Sequence, residues 1–143
     1  GTGSGVLAIA ASLLGAGQAI GIDDDQDAIA AARENVALNP RARVTLLNGD
    51  LRSVDLPPAD VVVANLTGAL LEIAAPRLLR LSSNGGRLVI SGLLTTEEQA
   101  ILTAYSSRTV EHRATEDEWV CMTWAPTRIR IARRRSPTVP TTV

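Results

Sequence analysis

The sequence predicts an α/β fold with a doubly wound, mostly parallel sheet that ends in an antiparallel hairpin. Three observations support this class. A glycine-rich turn, Gly1-Thr-Gly-Ser-Gly5, opens an apolar helix. After it, short β-branched runs alternate with helical segments, which is the order of right-handed strand–helix–strand units. Near the end of the chain, two strands follow each other with only a short turn between them.

Each predicted element rests on a hydrophobic run and its stop signal. Helices are predicted over 6–14, 27–38, 69–81 and 95–106, and strands over 19–22, 43–47, 60–65, 87–91, 109–114 and 118–124. The first helix is apolar nearly all round, so we expect it to be buried on most of its faces. The strand over 60–65 is β-branched, which is typical of a central parallel strand.

Several helix ends have recognisable signals. Gly15 and Gly17 stop the first helix. Asp25 is placed to cap the second helix, which Asn39-Pro40 ends. Thr95 is predicted to cap the fourth helix, because acidic residues follow it in the first turn.

A glycine turn of this kind normally follows a buried strand, and no strand precedes Gly1. We therefore expect the first, central strand of the sheet to be missing. Its neighbours would lack backbone partners, and each unpaired buried group costs about 1–3 kcal/mol. We expect a ligand-binding domain over 1–126, incomplete at its N-terminus, and a basic, frayed tail over 127–143.

Composition and charge exclude several classes of protein. The 143 residues suit one domain, and no apolar run is long enough to span a membrane. Residues 1–127 hold nine Arg and 15 acidic residues, a net charge of −6, which argues against broad nucleic-acid binding. Cys121 and His112 are the only residues of their types, so no disulfide or metal site is expected. We expect a cytoplasmic protein.

Polar residues cluster at the predicted carboxyl ends of the strands, where ligands bind in sheets of this kind. They comprise Asp23, Asp50 and Asn65, together with the glycine turn. Gly1, Gly3 and Gly5 let a ligand approach the backbone, and the following helix N-terminus suits a carboxylate or phosphate.

The three polar residues each have a ligand-binding and a structural interpretation. Asp23 lies 20 residues after Gly3, the offset of an acid that binds ribose hydroxyls, although surface charge or capping is the alternative. Asp50 is a candidate for the adenine amine or for a simple turn role. Asn65 either caps its strand or accepts a hydrogen bond from an attacking amine. Trp119 and Trp124 are expected to pack in the hairpin rather than to form a substrate cage.

The glycine spacing favours one of two possible cofactors. Dinucleotide sites require a small third residue one position later than Gly5, and Val6 stands there instead. The G-x-G-x-G spacing is that of S-adenosylmethionine sites, so we favour that cofactor. Two alternatives stay open: an NAD-dependent oxidoreductase on a similar fold, and a truncated, non-catalytic fragment.

Five segments together resemble the ribosomal protein methyltransferases that modify large-subunit protein eleven, over about residues 1–125. The segments begin with the glycine turn and continue with the runs Ile20-Gly-Ile-Asp-Asp-Asp25, Asp60-Val-Val-Val-Ala-Asn-Leu66, Gly86-Arg-Leu-Val-Ile-Ser-Gly92 and Glu118-Trp-Val120. The resemblance implies a Rossmann-like methyltransferase sheet, S-adenosylmethionine as cofactor, and methyl transfer to lysine side-chain and N-terminal amines of the ribosomal substrate. It implies that Gly1, Asp23 and Asn65 contact the cofactor, with Gly3 and Gly5 in the same loop.

Some positions depart from the family pattern. Relatives that methylate glutamine or base amines have Asn-Pro-Pro-Tyr/Phe where this chain has Asn65-Leu-Thr-Gly68, which argues against those substrates. Asp24 stands where many relatives have an apolar residue against the adenine, and Gln26 where a proline usually begins the helix. The resemblance further implies a substrate-recognition domain, and a cofactor-contacting threonine, upstream of Gly1.

Overall fold

A computed structural model describes residues 1–82 and 85–125; the predicted tail lies outside the described residues. The described chain alternates helices and strands in the expected order. The elements are α1 (Val6–Leu13), β1 (Ala19–Asp23), α2 (Gln26–Ala37), β2 (Val44–Asn48), β3 (Val61–Asn65), α3 (Gly68–Leu81), β4 (Arg87–Leu94), α4 (Glu98–Ala104), β5 (Val110–Glu116) and β6 (Trp119–Trp124).

The strands form two separate sheets in the described part of the chain. β1 and β2 pair in parallel, and the second sheet has the order β3-β4-β6-β5. In that sheet β3 and β4 are parallel, while β6 is antiparallel to both β4 and β5, so the C-terminal hairpin is confirmed. β1 and β3 each keep one edge that is not paired with any described strand.

The hydrophobic core lies between the larger sheet and its helices. Leu71 and Leu78 of α3 and Ile101 of α4 pack on Leu88 and Met122 of the sheet. Their burial is the main stabilising contribution, since burying one such side chain is worth about 1.5–3 kcal/mol.

An aromatic pair closes the end of this core. The rings of Tyr105 and Trp124 have centroids 5.1 Å apart, and the Tyr105 hydroxyl donates to the Leu71 carbonyl at 2.7 Å. Burial raises the pKa of Tyr105. Trp124 therefore packs in the core, as predicted from the sequence.

Helix α1 corrects one expectation. It was expected to be buried on most faces, yet only Ile9 is buried, and Val6 and Leu14 are 62% and 88% exposed. The described elements that contact α1 are β1, β2 and α2, so they cover only one side of it. An apolar sequence shows what a helix can bury, but a second layer must be present to bury it.

Strand β3 and helix α4 also differ from the sequence prediction. The β-branched β3 is an edge strand of its sheet, and Val61 and Val63 are 56% and 47% exposed. α4 begins at Glu98 with Glu97 as its N-cap, not at Thr95. The Thr95 N–H instead donates to the Glu118 carbonyl, which draws that residue into a turn against the hairpin. The Asp25 cap of α2 is confirmed, since its side chain accepts from the Asp27 N–H at 2.9 Å.

Candidate active site

The glycine turn requires glycine for two different reasons. Gly3 and Gly5 both have left-handed backbones, with φ of 53° and 80°. A Cβ on Gly5 would lie 3.1 Å from the Ala32 Cβ, so Gly5 permits the close approach of α1 and α2. No heavy atom lies within 4 Å of the corresponding position on Gly3, so the turn is open to a ligand there.

Asp23 ties this turn to the end of β1. Its Oδ2 accepts from the Gly3 N–H at 2.8 Å, and its Oδ1 accepts from the Asp25 N–H at 3.1 Å. Burial opposes ionisation of this carboxyl, which is 8% exposed, but these two backbone hydrogen bonds, together with the positive chain N-terminus and the Asp24 N–H, outweigh it and lower its pKa. An ionised carboxylate has about four acceptor positions. Asp23 therefore keeps acceptor capacity for a further donor.

Asp50 is engaged by its own turn. Its Oδ1 accepts from the Arg52 N–H at 2.8 Å, and the Arg52 guanidinium bonds both carboxylate oxygens, at 2.6 Å in the shortest contact. The guanidinium and the backbone donor hold the pKa of Asp50 at about 2. The turn role weighed for Asp50 is thus present in the structure, and an adenine contact stays a prediction.

Asn65 ends β3 beside a β-bulge in β4. The register between β4 and β6 shifts between Ile90 and Leu93, and Gly92 lies in this bulge with φ of 86°. A Cβ on Gly92 would overlap the Asn65 Oδ1 and lie 2.7 Å from the Leu66 carbonyl oxygen. Gly92 therefore lets the Asn65 amide lie directly against β4.

Asn65 and Leu66 are consecutive residues, yet they line two different cavities. The smaller, of about 140 Å³, is lined by Leu66 together with Gly1, Asp50 and other residues at the ends of β1 and β2. The larger is an open cleft of about 570 Å³ lined by Asn65 and by residues of β4, β5 and β6. The end of β3 thus contributes one residue to a small pocket and the preceding residue to a wider cleft.

The structure brings most of the predicted site residues together. A Cβ on Gly1 would lie 3.4 Å from Leu66 and 3.5 Å from the Asp23 Oδ2, so Gly1 stands between the carboxyl ends of β1 and β3. Asp50 shares the smaller pocket with Gly1, whereas Asn65 lines the larger cleft.

Sequence reasoning missed three participants in the site. Gly92 was noted only as part of a motif, although an isolated glycine inside a strand pattern indicates a bulge or a close approach. Trp119, expected to pack, is 52% exposed and lines the cleft. Glu97 accepts from the Leu94 N–H at 2.8 Å, and its carboxyl carbon would lie 2.5 Å from a Cβ on Gly68. It thereby packs the β4–α4 turn against the start of α3, a long-range contact that no local pattern indicates.

The described residues contain neither a metal-binding cluster nor a membrane-spanning helix. Across 1–82 and 85–125, no group of three or more His, Cys, Asp and Glu residues is arranged to hold a metal ion. None of the described helices combines the length and the apolar character that crossing a membrane requires.

This order of helices and strands, opened by the glycine turn, is the α/β fold of the S-adenosylmethionine-dependent methyltransferases. The crystal structure of a ribosomal protein L11 methylase from Lactobacillus delbrueckii subsp. bulgaricus superposes with a TM-score of 0.82 and 30% identity, covering 87% of this chain and 66% of that one. An RNA methyltransferase from Salinibacter ruber, solved with S-adenosyl-L-homocysteine, has the same fold at a TM-score of 0.71 and 23% identity, over 90% of this chain and 79% of that one.

The sequence narrows this class to one family. The family model described as ribosomal protein L11 methyltransferase matches residues 1–127, and the chain belongs to that family. A ribosomal protein L11 methyltransferase from Pelobacter propionicus is 39% identical over 128 residues, which cover 87% of this chain and 41% of that protein. One from Azotobacter vinelandii is 45% identical over 125 residues, which cover 84% and 41%. The chain thus spans about two fifths of the length of these relatives.

Proposed function

We propose that this chain is the catalytic part of an S-adenosylmethionine-dependent methyltransferase that acts on amines of ribosomal protein L11. The observation that carries the proposal is the pair of cavities that the consecutive residues Asn65 and Leu66 line, one each. A methyl transfer requires a donor and an acceptor to approach one point from opposite sides. The family relationship supplies the substrate, since the matched relatives are named for ribosomal protein L11.

The residues of the smaller pocket fit this cofactor. Leu51, Leu66 and Leu70 give the pocket apolar walls for a planar ring. At about 140 Å³ the pocket is smaller than the roughly 300–1,000 Å³ that encloses a whole small ligand, so it would take the adenine end only. Asp23 would accept from the ribose hydroxyls, and the open turn at Gly3 would receive the methionine portion.

The same geometry disfavours NAD. A dinucleotide site places its pyrophosphate at the glycine turn and the helix N-terminus. Here the Gly3 N–H already donates to the Asp23 carboxylate, and Asp24 and Asp50 line the adjoining pocket. Several carboxylates close to a pyrophosphate would repel it, whereas the sulfonium of S-adenosylmethionine is positively charged.

The chain would promote the reaction mainly by positioning its reactants. S-adenosylmethionine, when bound, supplies a methyl group on a positively charged sulfur. The Asn65 side-chain oxygen would accept a hydrogen bond from the neutral acceptor amine and so aim its lone pair. Once the amine carries the methyl group, its extra proton would pass to water at the open cleft beside Asn65.

We also propose that a further strand completes the sheet between β1 and β3. Both strands have an unpaired edge among the described residues, and Gly1 lies between their carboxyl ends. The exposed Val61 and Val63 of β3 suit a strand that is covered in the complete protein. Without that strand the 143-residue chain would bind the cofactor weakly and would not turn over.

Several narrower assignments rest on the resemblance and on charge. The acceptors would be lysine side chains and the N-terminal amine, because the segment after Asn65 lacks the Pro-Pro-aromatic sequence of glutamine and base methyltransferases. The acidic 1–127 region, of net charge −6, would bind a basic ribosomal protein rather than nucleic acid. The reaction would take place in the cytoplasm.

Calorimetry with the 143-residue chain tests the cofactor. We expect S-adenosylmethionine, but not NAD, to bind and to raise the thermal unfolding temperature. NAD binding without S-adenosylmethionine binding would reverse the assignment. No cooperative unfolding, with or without ligand, would support the non-catalytic alternative for this chain alone.

A chimaera tests the reaction. This chain would be joined to the portion of the Pseudomonas syringae relative that its 128-residue alignment leaves unmatched, and assayed on ribosomal protein L11 of that organism. Asn65→Ala should lower turnover about 100-fold, the size expected when a reacting group is misplaced by about 1 Å. Gln99→Ala, an exposed amide on α4, is the matched control. Unchanged turnover in Asn65→Ala would refute the role of Asn65.

A further inference from the structure

The larger cleft has a wall that the proposed cofactor contacts do not use. The cleft opens beside Asn65 and extends along the hairpin to Glu116 and Trp119. Its volume of about 570 Å³ is within the range of ligand sites, which is roughly 300–1,000 Å³. An acceptor side chain that reaches Asn65 from solvent would therefore pass this wall.

Glu116 and Trp119 are direct neighbours across the hairpin. They are cross-strand partners in the β5–β6 register, so their side chains lie on the same face of the sheet. Cys121, two residues after Trp119, also lines the cleft, as expected from the alternation of side chains along a strand. The indole of Trp119 is available to a ligand at 52% exposure, whereas Trp124 is 1% exposed in the core.

An indole beside a carboxylate selects one kind of group. The face of a tryptophan ring attracts cations, and it does so better than any other side-chain ring. A carboxylate pairs with the same cations, and the apolar indole also covers methylene groups. A protonated primary amine on an aliphatic stem satisfies all three features, while a neutral amide or a nucleobase satisfies only the apolar one.

We propose that Glu116 and Trp119 form the entry subsite for the acceptor, which binds the protonated amine of a lysine side chain before transfer. This inference rests on the proposed function and deepens it. The ammonium is held at the open cleft, loses one proton to solvent water, and then reaches Asn65 as the neutral nucleophile. The subsite favours charged amines over neutral acceptors, and its residues act on binding of the acceptor rather than on the transfer step.

NMR titration of the 143-residue chain tests the subsite directly, since the protein is only 15.0 kDa. The probe is Nα-acetyl-lysine amide, and its uncharged counterpart is Nα-acetyl-norleucine amide. We expect the lysine probe to shift the amide signals of Gly92 and Cys121 at a severalfold lower concentration than the norleucine probe. Equal binding of the two probes would overturn the inference.

Matched variants assign the contacts. Glu116→Gln and Trp119→Leu should each lower the affinity for the lysine probe about threefold, which is the effect of one exposed ion pair or cation–π contact. Glu118→Gln removes the same charge from the same hairpin without touching the cleft, and it should bind as the unaltered chain does. Loss of affinity in Glu118→Gln equal to that in Glu116→Gln would overturn the inference, because it would show a general charge effect.

Measuring S-adenosylmethionine binding by the same variants distinguishes a failure of this inference from a failure of the proposed function. All three variants should bind S-adenosylmethionine as the unaltered chain does, because none of these residues lines the smaller pocket. A loss of cofactor affinity in Glu116→Gln or Trp119→Leu would count against a separate acceptor subsite. Selective lysine binding in a chain that binds no S-adenosylmethionine would uphold the subsite and count against the cofactor role proposed for this chain.

Discussion

Replacement of Gly92 by alanine should disturb the active site through one added methyl group. Gly92 has a φ of 86°, a backbone that costs an L-residue about 1–2 kcal/mol. The new Cβ would also overlap the Asn65 Oδ1 and lie 2.7 Å from the Leu66 oxygen and 3.0 Å from the Leu66 nitrogen. The Asn65 side chain can rotate away, but the Leu66 backbone cannot move without shifting the end of β3.

Gly15→Ala separates backbone strain from this contact. Gly15 also has a left-handed backbone, with φ of 107°, but no heavy atom lies within 4 Å of its Cβ position. Both variants should therefore lose roughly 1–2 kcal/mol of unfolding free energy from strain. Gly92→Ala should lose about 1–3 kcal/mol more, the usual cost of added atoms in a tight space.

Urea unfolding and NMR together provide the assay. The side-chain amide signals of Asn65 should move in Gly92→Ala and stay in place in Gly15→Ala. In the chimaera, Gly92→Ala should lower turnover as Asn65→Ala does, and it should also weaken cofactor binding because the displaced Leu66 lines the smaller pocket. The reasoning is refuted if Gly92→Ala and Gly15→Ala are equally stable and the Asn65 signals do not move.

Three further predictions concern single polar contacts. Tyr105→Phe should cost about 1 kcal/mol of unfolding free energy, because the hydroxyl bonded to the Leu71 carbonyl is lost; unchanged urea unfolding would contradict this. The pKa of Asp23 is lower in the folded chain than its unfolded value near 3.8. The ionised carboxylate therefore contributes its full stabilisation above pH 3.8, and this stabilisation is lost as the pH falls through the folded pKa. The free energy of unfolding in urea should therefore change less between pH 6 and pH 3 in Asp23→Asn than in the unaltered chain. An equal pH dependence in the two proteins would argue against this contribution of Asp23. Arg52→Ala should raise the pKa of Asp50 from about 2 toward 3.8, as read by carboxyl NMR, because the guanidinium partner is lost; a pKa that stays near 2 would show another donor.

The structural features that the sequence predicted and the structure contains are those fixed by local geometry, while the roles of the site residues stay predictions. The glycine turn, the end of β1 at Asp23 and the Asp25 cap each depend on a few neighbouring residues. Asn65 was found because it ends the most apolar strand. These signals lie within a short segment, so one sequence is enough to read them.

Contacts between distant segments were harder to predict. Gly92 touches Asn65 across two strands, and Glu97 packs on Gly68 from a different turn. Neither contact has a fixed sequence spacing. The exposure of α1 could not be predicted either, because the burial of a helix depends on what covers its second face.

The described sheets share no strand pairing, yet residues at their strand ends line one pocket. Arg77 of α3 donates to the carbonyls of Leu51 and Val54 in the loop after β2, which links the two halves. A Cβ on Gly1 would lie 3.5 Å from Asp23 of one half and 3.4 Å from Leu66 of the other, so Gly1 lies at the junction. The smaller pocket is formed across this junction, whereas the cleft beside Asn65 lies wholly within the larger sheet. Completing the sheet between β1 and β3 should therefore strengthen cofactor binding far more than binding of the acceptor amine.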